Sequence, residues 1–201
     1  GYVSYRPYEL REVHIILNLY GLIGLIIAGT LPFFVATQVR SKMSKRATPK
    51  VMRTIFFILF VATLISALGF FFLNNYIAAS GLILYMFGLF AIIAILPIYS
   101  KSKIQWAGPR IIQLISGILW WALLSGALAV MTIAKVNNHL VLEALIVGGF
   151  AQILIASFAY LAPVLLGGGH KKLTNGFAIT RSWESLVLGN LASLALILDL
   201  Q

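Results

Sequence analysis

Cysteine is absent from the 201 residues of the chain. That excludes disulfides, thiolate nucleophiles, cysteine-ligated zinc and iron–sulfur clusters. Charge is scarce too: Asp, Glu, Lys and Arg make up 10% of the chain, against about a quarter in a soluble domain. Negative charge is scarcest, with five Asp and Glu against 15 Lys and Arg. No Walker loop, Ser–His–Asp set or metalloprotease helix is found. The first twelve residues carry Arg6, Glu9, Arg11 and Glu12 without an apolar core, so they do not form a signal peptide.

Apolar residues dominate instead. They make up 61% of the chain, and its mean hydropathy is +0.98. A soluble fold of this size cannot hide so much apolar surface. The expected class is all-α: a polytopic transmembrane helix bundle forming a single domain over residues 1–201. The partner is the lipid bilayer, not nucleic acid, despite a formal charge of +10.

About 20 helical residues cross a hydrocarbon core of roughly 30 Å. Six stretches satisfy this: about His14–Val39, Thr54–Leu73, Tyr76–Tyr99, Ile111–Ala134, Leu140–Leu166 and Ser185–Leu200. None has a Lys or Arg in its middle. Runs such as Ile55–Val61 do not alternate as a barrel strand would. The short link Asn74–Asn75 makes the second and third stretches a tight antiparallel hairpin.

The basic residues sort by loop. Arg40, Lys42, Lys45, Arg46, Lys50 and Arg53 follow the first stretch; Lys101, Lys103 and Arg110 follow the third; Lys171, Lys172 and Arg181 follow the fifth. The opposite side has only Arg6, Arg11 and Lys135. The positive-inside rule places the richer side in the cytoplasm and both termini outside it, in a multi-pass cell-membrane protein. The same loops suit docking to anionic lipid. Trp106 and Trp183 fall at the expected cytoplasmic boundary. Trp120 and Trp121 lie mid-span and are expected to fill space between helices or to face lipid.

Spans one and five carry narrow stripes of small and polar residues. In span one, His14, Asn18 and Gly21 share a helix face, continued by Leu25, Ala28, Gly29 and Pro32, with Gly24 beside them. In span five the stripe is Gly148, Gln152, Ala156, Tyr160 and Pro163, beside Gly149. Such stripes belong at helix contacts, where small residues allow close approach and polar ones find partners. Gly21, Gly24, Ala28, Gly29, Gly148, Gly149, Gln152 and Ala156 are therefore expected to pack between helices. A cofactor pocket is the alternative. His14 and His139 lie at the outer ends of spans one and five and could share a metal or a haem, with Asn18 in support. His170, after Gly167–Gly169, reads as a flexible loop residue. The spans hold no ionisable group in their middles, which argues against a proton-coupled carrier.

The stretch His14-Ile-Ile-Leu-Asn18-Leu-Tyr-Gly21 resembles the His-x-His-Leu-Asn-Leu-x-Gly motif of a poorly characterised family of prokaryotic polytopic membrane proteins. Gly29-Thr30-Leu31, Thr37, Arg40, Lys42 and Met43 continue the match in register. A second block, Ser157 to Gly169, resembles that family's Ser-Tyr-Leu-Leu-Pro-x-x-x-Gly-Gly-Gly signature. Members are associated with multicopper-oxidase or copper-nitrite-reductase-type domains and are distantly similar to haem–copper oxidase catalytic subunits. The resemblance implies that the chain corresponds to the second half of a longer protein. It implies an integral membrane subunit of an electron-transfer or copper-linked oxidoreductase assembly. Haem or copper would sit near His14 and His139, with other membrane subunits and an extracytoplasmic copper or haem protein as partners. Ile16 stands where the motif has its second histidine. That departure favours a non-catalytic structural or accessory subunit. A small-solute channel or transporter is the third reading, since Gly and Pro within spans one and five could break helices.

Overall fold

The structure, a computed structural model, describes residues 7–97, 101–136, 139–167, 169–180 and 182–198. Arg6, Arg181, Asp199 and Leu200, and the side chains of His170, Lys171 and Lys172, lie outside this description. Every regular element among the described residues is helical.

Five helices are long and apolar enough to cross a membrane. The first, Leu10–Gln38, is continuous through α1 (Pro7–Ile16), a π-helical segment π1 (Leu17–Ile23) and α2 (Gly24–Gln38). The next three are α3 (Pro49–Phe71), α4 (Asn75–Ile95) and α6 (Pro109–Ala134), with the short α5 (Lys101–Ala107) preceding α6. The fifth, His139–Leu166, repeats the first: α7 (His139–Ala144), π2 (Leu145–Ala151), then α8 (Gln152–Leu166). The expectation of six spans is met for five. The remaining stretch forms α10 (Trp183–Ile197), whose 15 residues rise about 22 Å, less than a hydrocarbon core.

Local chemistry explains the boundaries. Thr48 and Asn74 cap α3 and α4, their side chains accepting from the amides of Val51 and Ile77. Pro49 and Pro109 occupy first turns, where a missing N–H is harmless. Gly108 (φ 67°, ψ −153°) and Gly167 (φ 61°, ψ −150°) adopt a conformation essentially closed to other residues, and they separate α5 from α6 and end α8. Three membrane helices end in a left-handed residue that is not glycine: Arg40, Leu73 and Lys135. In each case that residue and its successor bond back into the last turn, for example Arg40 N–H to the Thr37 carbonyl and Ser41 N–H to that of Ala36.

The segment expected as a loop after Gly167 is instead helical, as α9 (Gly169–Ile179). A helix satisfies its own backbone groups, which matters at a membrane boundary.

The hairpin of α3 and α4 is the tightest contact in the bundle. Gly69 lies directly against the Ala78 backbone, and Gly81 against Ser66 and the Ala62 carbonyl. The Ser66 hydroxyl donates to the Ala78 carbonyl at 3.2 Å. α4 then packs on α6, and α6 on π2 and α8, while α10 closes against α7, π2 and α6. Gly117 of α6 sits against the Gly149 carbonyl and Ile153. Most exposed positions on these helices are apolar, including Phe57, Phe87, Val130 and Leu165.

A Gly81→Leu substitution drives a side chain into backbone atoms that cannot yield. Thermal unfolding in detergent should show a loss of about 3 kcal/mol, the upper end for overpacking. The exposed Phe57→Leu change should leave the melting temperature within error.

Candidate functional site

The two π segments make the interior of the bundle unusual, because such segments are rare and concentrate at functional positions. A π turn shifts the hydrogen-bond ladder by one residue, and returning to α register passes over a carbonyl. At the end of π1 the Gly24 N–H is shared between the carbonyls of Gly21 and Leu19, straddling Tyr20. The Tyr20 carbonyl accepts instead from the Tyr85 hydroxyl of α4, at 3.0 Å. That hydroxyl lies against the Gly24 Cα, where any Cβ would collide with it. At the end of π2 the Gln152 N–H turns to the Gly149 carbonyl. The Gln152 side-chain amide donates to the Gly148 carbonyl, at 3.0 Å. Tyr20 and Gly148 are each the fourth residue of their segment.

Around the first junction most groups are apolar or mutually bonded. The Ser125 hydroxyl lies 3.1 Å from the Tyr20 hydroxyl and 2.7 Å from the Trp121 carbonyl, to which it donates. The rings of Tyr85, Tyr20, Trp121 and Phe150 follow one another edge to face, with centroids 4.8, 6.2 and 6.5 Å apart. This row joins π1 to π2 through α6. The Trp121 indole N–H is buried without a hydrogen-bond partner.

The second junction is polar. Asn190 of α10 accepts at Oδ1 from the Ser116 hydroxyl at 2.6 Å and from the Trp120 indole N–H at 2.8 Å. Its amide nitrogen reaches Gln152 Oε1 at 3.4 Å and the Leu186 carbonyl at 2.7 Å. One turn away, Gln113 donates to the Ser185 hydroxyl at 3.0 Å. Gly148 and Gly189 leave room for Ser193 and Gln152 respectively.

The residues singled out from the sequence divide by depth. Gly24, Ala28, Gly148, Gly149, Gln152 and Ala156 are buried at helix contacts. Gly21 is half-buried, with the Thr63 methyl of α3 at 3.4 Å from its Cβ direction. Gly29 is exposed, and the only atom near its Cβ direction is on Phe56, at 3.9 Å. Small size there serves an open surface groove rather than a close contact. His14 and His139 are both exposed, at the end of the bundle opposite the basic loops. The Asn18 amide donates to the His14 backbone carbonyl at 2.8 Å, not to its ring. No group of three or more His, Asp and Glu side chains gathers among the described residues.

Tyr20, Tyr85, Ser125 and Asn190 are not among the residues the sequence points to, whereas Trp121 fills space between helices, one of the two roles expected of it. A Tyr in the middle of an apolar run is a weak signal, and the lone amide of Asn190 in α10 was the stronger one. Trp120 is not merely space-filling: its indole N–H is committed to Asn190.

Compared with known proteins, the chain matches no family model, and neither a curated protein nor a solved structure shows significant similarity to it.

Tyr85→Phe strands the Tyr20 carbonyl in a dry interior. The expected loss of stability is about 1 kcal/mol, at the low end because an unfolded chain in the membrane finds substitute partners. Tyr76→Phe, on an exposed tyrosine at the start of the same helix, should be silent in the same thermal melt. Equal melts for both variants would remove the hydroxyl from its role.

Proposed function

We propose that the chain is an integral subunit of a larger membrane complex with a structural, non-catalytic role. One observation carries this reading. The polar side chain of the span-one stripe is spent on its own helix, the Asn18 amide donating to the His14 backbone carbonyl, and Gly21 and Gly29 line a groove whose other walls, including Leu25 and Phe56, are apolar. Within one copy of the chain, Tyr20, Tyr85 and Trp121 fill the space that a channel would need.

We infer that α10 is the sixth span. Its polar residues Ser185 and Asn190 are bonded to α6, while Val187, Leu188, Leu191 and Leu194 are exposed, the division expected of a helix in lipid. Six spans put both termini on one side. The loops rich in Lys and Arg then lie in the cytoplasm of a cell-membrane protein.

The second reading is the electron-transfer or copper-linked assembly implied by the two motif blocks. Exposure of His14 and His139 at the same end of the bundle supports it, since an extracytoplasmic copper or haem protein could reach both. Absorption spectra and metal analysis of the purified chain separate the two. The structural role predicts neither a Soret band nor bound copper. A Soret band, or stoichiometric copper lost in His14→Ala, would establish the redox reading instead.

The absence of native cysteine makes topology easy to test. In intact cells, an impermeant maleimide should label Phe72→Cys at the α3–α4 turn. It should label Lys45→Cys only after permeabilisation. The reverse pattern would invert the orientation.

A further inference from the structure

A groove of about 620 Å³ runs along the surface between span one and α3. Span one lines it from Leu17 to Thr30, and α3 from Phe56 to Leu64. Gly24 is the middle residue of span one and Phe60 that of α3, so on both helices the groove is centred on the middle of the crossing. Its stretch of span one rises about 20 Å, roughly two-thirds of a hydrocarbon core. The groove exists because of two glycines. A Cβ at Gly21 would meet only the Thr63 methyl, at 3.4 Å, and one at Gly29 only Phe56, at 3.9 Å. The hydroxyls of Thr30 and Thr63, the polar side-chain groups in the lining, donate to carbonyls of their own helices.

Depth and charge together say what covers this groove. A lipid acyl chain hangs from a headgroup and reaches the middle of the bilayer from one side, so one lipid covers half the length. A membrane helix passes through the whole of it. A ridge of side chains spaced four residues apart fits such a groove, and small residues let the helix approach closely. Arg53 stands three residues before Phe56 and seven before Phe60, on the same face of α3, just beyond the basic end of the groove. It is exposed. The acidic side chain described at that end, Glu184, accepts from Ser182 instead. Two copies of the chain in one membrane share an orientation, so a symmetric pair meeting here would set Arg53 against Arg53, a repulsive contact.

We propose that the groove seats a membrane-spanning helix of another subunit, with bulky apolar side chains facing Gly21 and Gly29 and an Asp or Glu at its basic-side end, against Arg53. This rests on the reading of the chain as a subunit of a larger complex, and it states where one neighbour sits and what chemistry that neighbour carries.

The absence of cysteine allows a photoactivatable benzophenone maleimide to be placed at single sites in the native membrane. At Leu22→Cys, an exposed lip of the groove, illumination should join the chain to a second protein. Phe87→Cys, similarly exposed on α4, should not give the same adduct. Mass spectrometry of the joined peptide should find a membrane-spanning helix with Asp or Glu at its flank on the side of the basic loops. Adding Arg53→Gln should lower the yield about fivefold, the effect of one ion pair, and adding Lys45→Gln should not. Adding Gly29→Leu, at an exposed position, should abolish the adduct with the circular dichroism spectrum unchanged. The assignment is overturned by adducts with lipid alone at Leu22→Cys, by an adduct between two copies, or by the same adduct at Phe87→Cys. A joined helix without an acidic flank, or a yield indifferent to Arg53→Gln or Gly29→Leu, overturns it equally. Native gels separate that failure from failure of the wider reading. A chain that still migrates with its neighbours keeps the structural role, and one that migrates alone ends both.

Discussion

In hydrocarbon no water answers a carbonyl that its own helix has passed over. The two π segments create that problem in spans one and five, and the rest of the bundle is arranged around its solution. The Tyr20 carbonyl is met by a hydroxyl from α4, and the Gly148 carbonyl by an amide from its own helix. The first solution ties span one to the α3–α4 hairpin. It also dictates a residue far away in sequence, since Gly24 must lack a side chain for the Tyr85 hydroxyl to approach. The second leaves Gln152 Oε1 within reach of Asn190, which in turn gathers Ser116 and Trp120. Helix irregularity and helix docking are thus one event at both places.

That arrangement bears on what the molecule can do. Polar side chains inside a membrane are costly unless paired, and they commonly mark transport or catalytic sites. Here almost all of those described between the spans are bonded to backbone or to one another, and they serve to fix which helices touch. Fully satisfied buried networks rigidify and specify a unique packing. A rigid bundle with exposed apolar flanks and two exposed histidines at one end suits a subunit that holds neighbours. The exceptions, the Gln38 amide and the Trp121 indole, stand out against this background. Gln38 lies at the end where cations and aromatic rings meet.

The three left-handed helix ends show a similar economy. A residue other than glycine in that conformation is strained by roughly 1–2 kcal/mol. At Arg40 the strain accompanies a guanidinium laid on Trp106, so the turn that ends span one also delivers its charge to the bundle. Leu73 and Lys135 make the same backbone turn without such a contact being evident, so the strain alone does not mark a site.

The helical class, the positions of five helices long and apolar enough to cross a membrane, and the α3–α4 hairpin were legible in the sequence, because hydrocarbon imposes length, apolarity and internal hydrogen bonding on each segment separately. The stripes of spans one and five were legible as well, since Gly24, Ala28, Gly148 and Gln152 repeat at helical spacing. What each stripe meets was not. Periodicity assumes 3.6 residues per turn throughout, and π1 and π2 break that register, so Gly29 rotates outward while Gly24 turns onto Tyr85. The pairing of Tyr20 with Tyr85, of Gln152 with Asn190, and of Arg40 with Trp106 joins residues dozens of positions apart. Local sequence sets which groups need a partner; only the packed bundle, by bringing separate helices within hydrogen-bond and ring-contact distance, decides which partner each one has.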